Sequence, residues 1–329
     1  FNFENNSRPF RDYFNSEKDY IIKLLKSNFS ETISPQELSL LRDDVIKQGI
    51  IYSPKFVKSL KNSKKVISSF FKDELKYYLS LIMTNYGNSN TQLLGFKEVW
   101  SIEMAFPIIN MLGKKAKILV VMRDPLDVVA SSIVKAGNYS ILSLVRQWRK
   151  QVVFYNYLKF IYPNQVVSIN YEDFCKNPIL TLEDKFNKLF NFSEKFFSKK
   201  LKPIDDNGIN WEKNSSYSSN FLSNEIDIKS IGKYKTILNE NEIEWVKYLT
   251  FMKSYKKYNE SDKPPSKPKG FFPKRNIDEV VDWAKSDIID VEGKNLKNEL
   301  QNEYNRIDKI NSLVDLKEIT KEHFLVSQL

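Results

Sequence analysis

Cysteine and histidine are almost missing from this 329-residue chain, which holds one of each, Cys175 and His323. A single cysteine excludes an internal disulfide and any cysteine-built metal cluster, and it suits a reducing, cytoplasmic compartment. A single histidine near the C-terminus excludes a histidine-built metal site and argues against a histidine general base. No apolar run approaches the roughly 18 residues of a membrane span, so no transmembrane segment is expected. No internal repeat is visible.

What is abundant is lysine. Lys and Arg number 51 against 41 Asp and Glu, a net charge of +10. A surplus of that size can favour nucleic acid, an anionic surface or a polyanionic small molecule. The lysines are interleaved with Asp, Glu and Asn instead of forming a block, which reads as solvated faces and argues against nucleic acid. The densest mixture of tyrosine and lysine, Tyr248 to Tyr258 with Lys253, Lys256 and Lys257, reads as a helix end with favourably placed cations.

Periodicity and capping residues predict a mainly helical region over residues 1–92, with helices near 19–28, 34–48, 54–60 and 68–84. Ser34-Pro35-Gln36-Glu37 is a capping start for the second of these. A core over 93–260 follows. Its strands are expected at Leu93–Phe96, 117–122 and Gln165–Asn170, with helices at 102–112, 125–135, 141–160, 179–190 and 239–256. Alternating strands and helices imply an α/β architecture, a parallel sheet flanked by helices. Lys263-Pro-Pro-Ser-Lys-Pro-Lys-Gly270 reads as a linker, set here at 261–275. A helical C-terminal tail, 276–329, completes the chain. Phe271, Phe272, Val280, Val281 and Trp283 are expected to pack back onto the core, with an oligomer through the tail as the other possibility.

The most informative stretch is the apolar run ending at Met122, followed by Arg123-Asp-Pro-Leu-Asp127 and Ser131. Asp124 suits the cap of the next helix, Pro125 its first turn, and Asp127 its positive end. A guanidinium, a helix N-terminus and a serine then surround one spot at the carboxyl end of a strand, where open α/β sheets bind anions. Arginine offers a phosphate a planar fork of donors. The same residues also allow a plain strand–helix unit in which Arg123 pairs with Asp124 or Asp127.

Four segments in order resemble the sulfotransferases that use 3′-phosphoadenosine 5′-phosphosulfate (PAPS), closer to the protein-tyrosine and bacterial carbohydrate branches. They are Arg123 with Ser131, Tyr171-Glu-Asp-Phe-Cys-Lys-Asn-Pro178, Asn214-Ser-Ser216, and Ser230-Ile-Gly-Lys-Tyr-Lys235. The resemblance covers about residues 93 to 256 and implies the P-loop-like sulfotransferase fold. It implies that Arg123 and Ser131 grip the 3′-phosphate and that Tyr171 faces the adenine. It also implies that a loop carrying Ser215, Ser216 and Lys233 closes over the nucleotide. Lys97 sits where such enzymes hold a lysine near the sulfonate, and Ser215 or Ser216 would add hydrogen bonds there. PAPS is the implied co-substrate, with no metal, and the acceptor is a hydroxyl on a small molecule or a glycan. Transfer of this kind needs positioning plus positive charge on the oxygens that gain charge.

Two parts of the family pattern are missing. None of the nine glycines sits in a Gly-Thr-Thr-like phosphate turn before Lys97. Gly87-Asn-Ser-Asn-Thr91 comes nearest. With Phe1 standing first instead of methionine, this predicts that the first strand and its loop were cut away and that the chain alone is inactive. The alternatives are a degenerate member that binds nucleotide weakly, or a protein completed by another chain. No base stands out among Glu31, Glu37, Asp43 and Asp44, and strand alternation turns Glu98 away from Lys97.

Two rival readings stay open. One is a P-loop kinase without its N-terminal loop, which would need a Gly-x-x-x-x-Gly-Lys-Ser/Thr segment. The other is a non-catalytic nucleotide- or nucleic-acid-binding module on a degenerate sulfotransferase core.

Overall fold

The computed structural model describes residues 29–63, 69–95, 97, 102–135, 139–191, 226, 228–253, 255, 257–258, 263–274, 276, 278 and 295–319. These fall into two compact units, which divide between Ala116 and Lys117. The expected helix at 19–28, the Asn214–Ser216 segment and Val280, Val281 and Trp283 lie outside the described residues. Among the described residues, no helix is long and apolar enough to cross a membrane.

The first unit is helical: α1 Pro35–Tyr52, α2 Pro54–Asn62, α3 Phe71–Tyr86 and α4 Ala105–Leu112. The predicted capping box opens α1, with the Glu37 amide donating to Ser34 Oγ (3.2 Å) and the Ser34 amide to Glu37 Oε2 (2.8 Å). Glu37, one of the candidate bases, is thereby engaged as a cap. Phe29, Ile33, Leu38 and Phe71 form one apolar cluster, and Phe56, Val57, Leu60 and Tyr78 another. Arg42 grips Glu74 with two donors, at 2.7 and 2.9 Å, so the buried Glu74 carboxylate is paired and not stranded. The strand expected at Leu93–Phe96 is not formed over residues 93–95, and Phe96 lies outside the described residues. Residues 93–95 carry no regular structure, and Leu93 and Leu94 are exposed. An apolar run makes a strand only where a partner takes its amides, and none does among the described residues.

The second unit holds a small parallel sheet, so the architecture is α/β but mostly helical. Strand β1 (Ile118–Met122) pairs in parallel with β2 (Val166–Asn170), with Ile118 beside Val166 and Met122 beside Asn170. Parallel neighbours need a crossover, supplied by α5 (Pro125–Lys135) and α6 (Ile141–Ile161). Val120, Met122, Val166, Val167 and Ile169 are buried, whereas Val121 is exposed. The short helix α7 (Tyr171–Lys176) follows β2, and Pro178 opens α8 (Pro178–Phe190) as its first residue.

Further along, α9 (Tyr234–Ile237) and α10 (Glu240–Thr250) precede α11 (Leu296–Ser312). A reciprocal capping box joins Asn239 and Glu242 at the start of α10. The helix expected to run to 256 stops at Thr250. Its buried stripe, Glu242, Trp245, Val246, Leu249 and Thr250, has helical spacing. The next two residues, Phe251 and Met252, are both buried, so the chain leaves the helical path to place both inside.

The stretch read as a linker has no helix or strand over 263–274, yet it is strapped down. Trp245 Nε1 donates to the Gly270 carbonyl (3.2 Å) and Asn241 Nδ2 to the Phe271 carbonyl (2.8 Å). Phe272 meets Trp245 edge-on, with 5.3 Å between centroids, and the Lys267 ammonium lies 3.6 Å from the Tyr304 ring centroid. Helix α11 then docks through charge. Glu299 Oε2 accepts from Arg146 Nη2 at 2.6 Å, and Glu303 accepts from Arg146 Nε at 2.7 Å and also from Arg149 and Arg306. The described part of the tail thus packs within its own unit, on the helix that covers the sheet.

Candidate functional site

The β1–β2 register fixes the site. Because Met122 stands beside Asn170, Arg123 and Tyr171 are the next residues on each chain at the carboxyl end of the sheet. The Arg123 guanidinium carbon lies 4.6 Å from the Tyr171 ring centroid, close enough for a cation–π contact. Arg123 Nη2 donates to the Ser230 carbonyl at 2.9 Å, and the Arg123 carbonyl accepts from Trp148 Nε1 at 2.8 Å. Arg123 Nε is buried without a partner among the described residues. A buried donor left unpaired costs about 1–3 kcal/mol, so this guanidinium has an unmet demand for an acceptor.

Neither Asp124 nor Asp127 pairs with Arg123; each carboxylate is committed elsewhere. Asp124 Oδ1 accepts from the Leu126 amide at 2.8 Å, the expected cap of α5. Glu172 Oε1 accepts from the Asp124 amide at 2.8 Å, and Glu172 Oε2 from the Tyr258 hydroxyl at 2.7 Å. Pro125 has no N–H and the Leu126 amide is capped by Asp124, so the start of α5 offers an anion little. Burial pushes the Asp124 carboxyl up to about 6, helped by Asp127 and Glu172 nearby and opposed by the Leu126 amide and Arg123.

The Tyr171 hydroxyl and Ser230 Oγ share a hydrogen bond at 2.9 Å. Burial raises the Tyr171 phenol above its ordinary value, with the Ser230 bond acting against it. Arg123 covers one face of the Tyr171 ring. Asp173 pairs with Lys257 at 2.7 Å, which holds its carboxyl below the usual range.

The segment bearing Ser230 is itself anchored. Asp127, 1% exposed, accepts from the Gly232 amide through Oδ2 (2.7 Å) and from the Tyr234 amide through Oδ1 (3.0 Å). Gly232 adopts φ +71°, a left-handed conformation that glycine takes without strain.

Of the residues the sequence singles out, Arg123 and Tyr171 come together. Ser131 lies half-buried on α5, one turn beyond Asp127, and Lys233 lies half-buried just before α9. Ser215 and Ser216 fall outside the described residues, and Lys97 is exposed, on the first unit. Sequence reading missed Trp148, Glu172, Ser230 and the role of Asp127. Ser230 and Glu172 lie inside segments already marked by the resemblance, whereas nothing local marks Trp148. The tyrosines of the Tyr248–Tyr258 stretch are packed: Tyr255 and Tyr258 meet Trp148 edge-on, and Tyr248 meets Trp245 and Tyr304. Among the described residues no cluster of three or more His, Cys, Asp or Glu side chains could hold a metal ion.

Comparison with protein families, curated proteins and solved structures finds no match for this chain.

Proposed function

We propose that the second unit binds a phosphorylated adenosine at Arg123 and that the chain is a PAPS-dependent sulfotransferase acting on a hydroxyl acceptor. One observation carries this reading: a guanidinium at the carboxyl end of a parallel strand, stacked on Tyr171, keeps a buried donor without an acceptor. A phosphate oxygen would satisfy Nε and could replace the Ser230 carbonyl at Nη2, converting a neutral contact into charge-assisted ones. The ordered segments around Arg123, Tyr171 and Ser230 favour the 3′-phosphate of adenosine over a generic anion.

In the proposed reaction the acceptor oxygen attacks sulfur and the bond from sulfur to the bridging oxygen breaks. Adenosine 3′,5′-bisphosphate departs, and the acceptor proton passes to a base.

Calorimetric titration of the purified chain with adenosine 3′,5′-bisphosphate, against ATP as control, tests the reading. Selective binding that is lost in Arg123→Ala supports it. Absence of binding by the folded wild-type chain overturns it.

A further inference from the structure

The loop from Ile228 to Tyr234 is held at two places. At its start, the Ser230 carbonyl and hydroxyl contact Arg123 and Tyr171. Two residues on, Gly232 and Tyr234 direct their amides into the carboxylate of Asp127, one to each oxygen. Asp127 is 105 positions from Gly232 in sequence and is buried. It touches neither the Arg123 guanidinium nor the Tyr171 ring, and it is not spent on capping α5, since Asp124 does that.

A buried carboxylate in water-poor surroundings is costly unless its oxygens are satisfied. Here two backbone amides satisfy it, and the chain must adopt the left-handed turn at Gly232 to deliver them. The carboxylate therefore selects one loop conformation out of many. That conformation sets Ser230 against Arg123 and Tyr171.

We infer that Asp127 is a positioning residue that latches the 228–234 loop over the Arg123–Tyr171 pair, with Gly232 as the pivot. Ser230 is then the part that yields when an anion takes Arg123, while the Asp127 latch stays shut and keeps the loop over the ligand. The ligand side of this inference rests on the anion-binding reading above; the latch does not.

Amide hydrogen exchange on the full chain, well below its melting temperature, tests the latch directly. Asp127→Asn keeps the shape and replaces one acceptor oxygen by a donor. Exchange at Gly232 and Tyr234 should quicken by about tenfold or more, with β1 and α6 unchanged, because the charge-assisted bonds holding those amides are lost. Gly232→Ala is the second variant. A Cβ there meets nothing within 4 Å, so it acts only through the strained φ of +71°, and it should loosen the same amides without disturbing the core. The double variant should add little to either single one. Both single variants should also release adenosine 3′,5′-bisphosphate faster.

Wild-type exchange rates in Asp127→Asn would overturn the latch. Faster exchange with an unchanged nucleotide dissociation rate would overturn the positioning role. Failure of the wild-type chain to bind nucleotide would instead remove the functional reading, while the exchange data would still decide the latch.

Discussion

Phe271 and Phe272 are neighbours in the strap and point opposite ways: Phe271 is 97% exposed and Phe272 is 7% exposed, its ring against Trp245. Replacing Phe272 by alanine should cost about 3 kcal/mol, the scale for a buried aromatic truncation. Phe271→Ala should stay within about 0.5 kcal/mol. Urea unfolding of the two variants measures the contrast, and equal costs would contradict the docked strap.

Arg123 should dominate anion affinity. Alanine there removes the donor fork and the flat cation over Tyr171, and binding of adenosine 3′,5′-bisphosphate should weaken by about 2–3 kcal/mol. Arg123→Lys retains a charge without the fork or the planar face, so it should recover only part of the loss. Full recovery by lysine in a calorimetric titration would mean that a point charge suffices.

Asp124 carries a stability penalty with a definite pH window. Its folded pKa of about 6 lies above that of an ordinary aspartate, so the folded state holds the proton more tightly than the unfolded one. The penalty is absent below about pH 4, grows between pH 4 and 6, and is complete above that. Asp124→Asn keeps an oxygen for the Leu126 amide and removes the charge. It should stabilise the chain by about 1 kcal/mol at pH 8, after allowing for partial exposure, and by nothing at pH 4. Chemical denaturation at the two pH values reads the difference, and tighter anion binding at pH 8 should accompany it.

Glu303 behaves in the opposite sense. Burial alone would raise its pKa, but the guanidiniums of Arg146, Arg149 and Arg306 overcome this and hold it far below the usual carboxylate range. Its stabilisation is therefore complete above an ordinary glutamate pKa and drains away as acid approaches the depressed folded value. Glu303→Gln leaves buried cations without their counter-charge and should cost about 3–5 kcal/mol near neutrality. The deficit should shrink on acidification, and a deficit independent of pH would count against the ion cluster.

Local signals in the sequence located what is held locally. Ser34 with Glu37 and Asp124 ahead of Pro125 both cap the helices they were expected to cap. The strand before Arg123 and the strand before Tyr171 are both formed and paired. Distant contacts were not legible. Leu93-Leu94-Gly95 has the composition of a strand, but pairing depends on a neighbour that composition does not reveal. Asp127 reads as a charge suited to a helix start, and its actual partners come from a loop far along the chain. Arg146 and Arg149 are arginines on a helix, yet both are buried, because Glu299 and Glu303 reach them from a helix more than 150 positions away.

That last separation governs the order in which the protein can be made. When Arg146 and Arg149 leave the ribosome their acidic partners have not been synthesised, and Glu303 follows Arg146 by 157 positions. Closing so long a loop is entropically slow. Until it closes, helix α6 carries cations that favour water along the side it will later bury. Trp148, between those arginines, is the residue that holds the Arg123 carbonyl. The corner around Arg123 should therefore mature only after α11 has been translated and docked, which makes its assembly a late step.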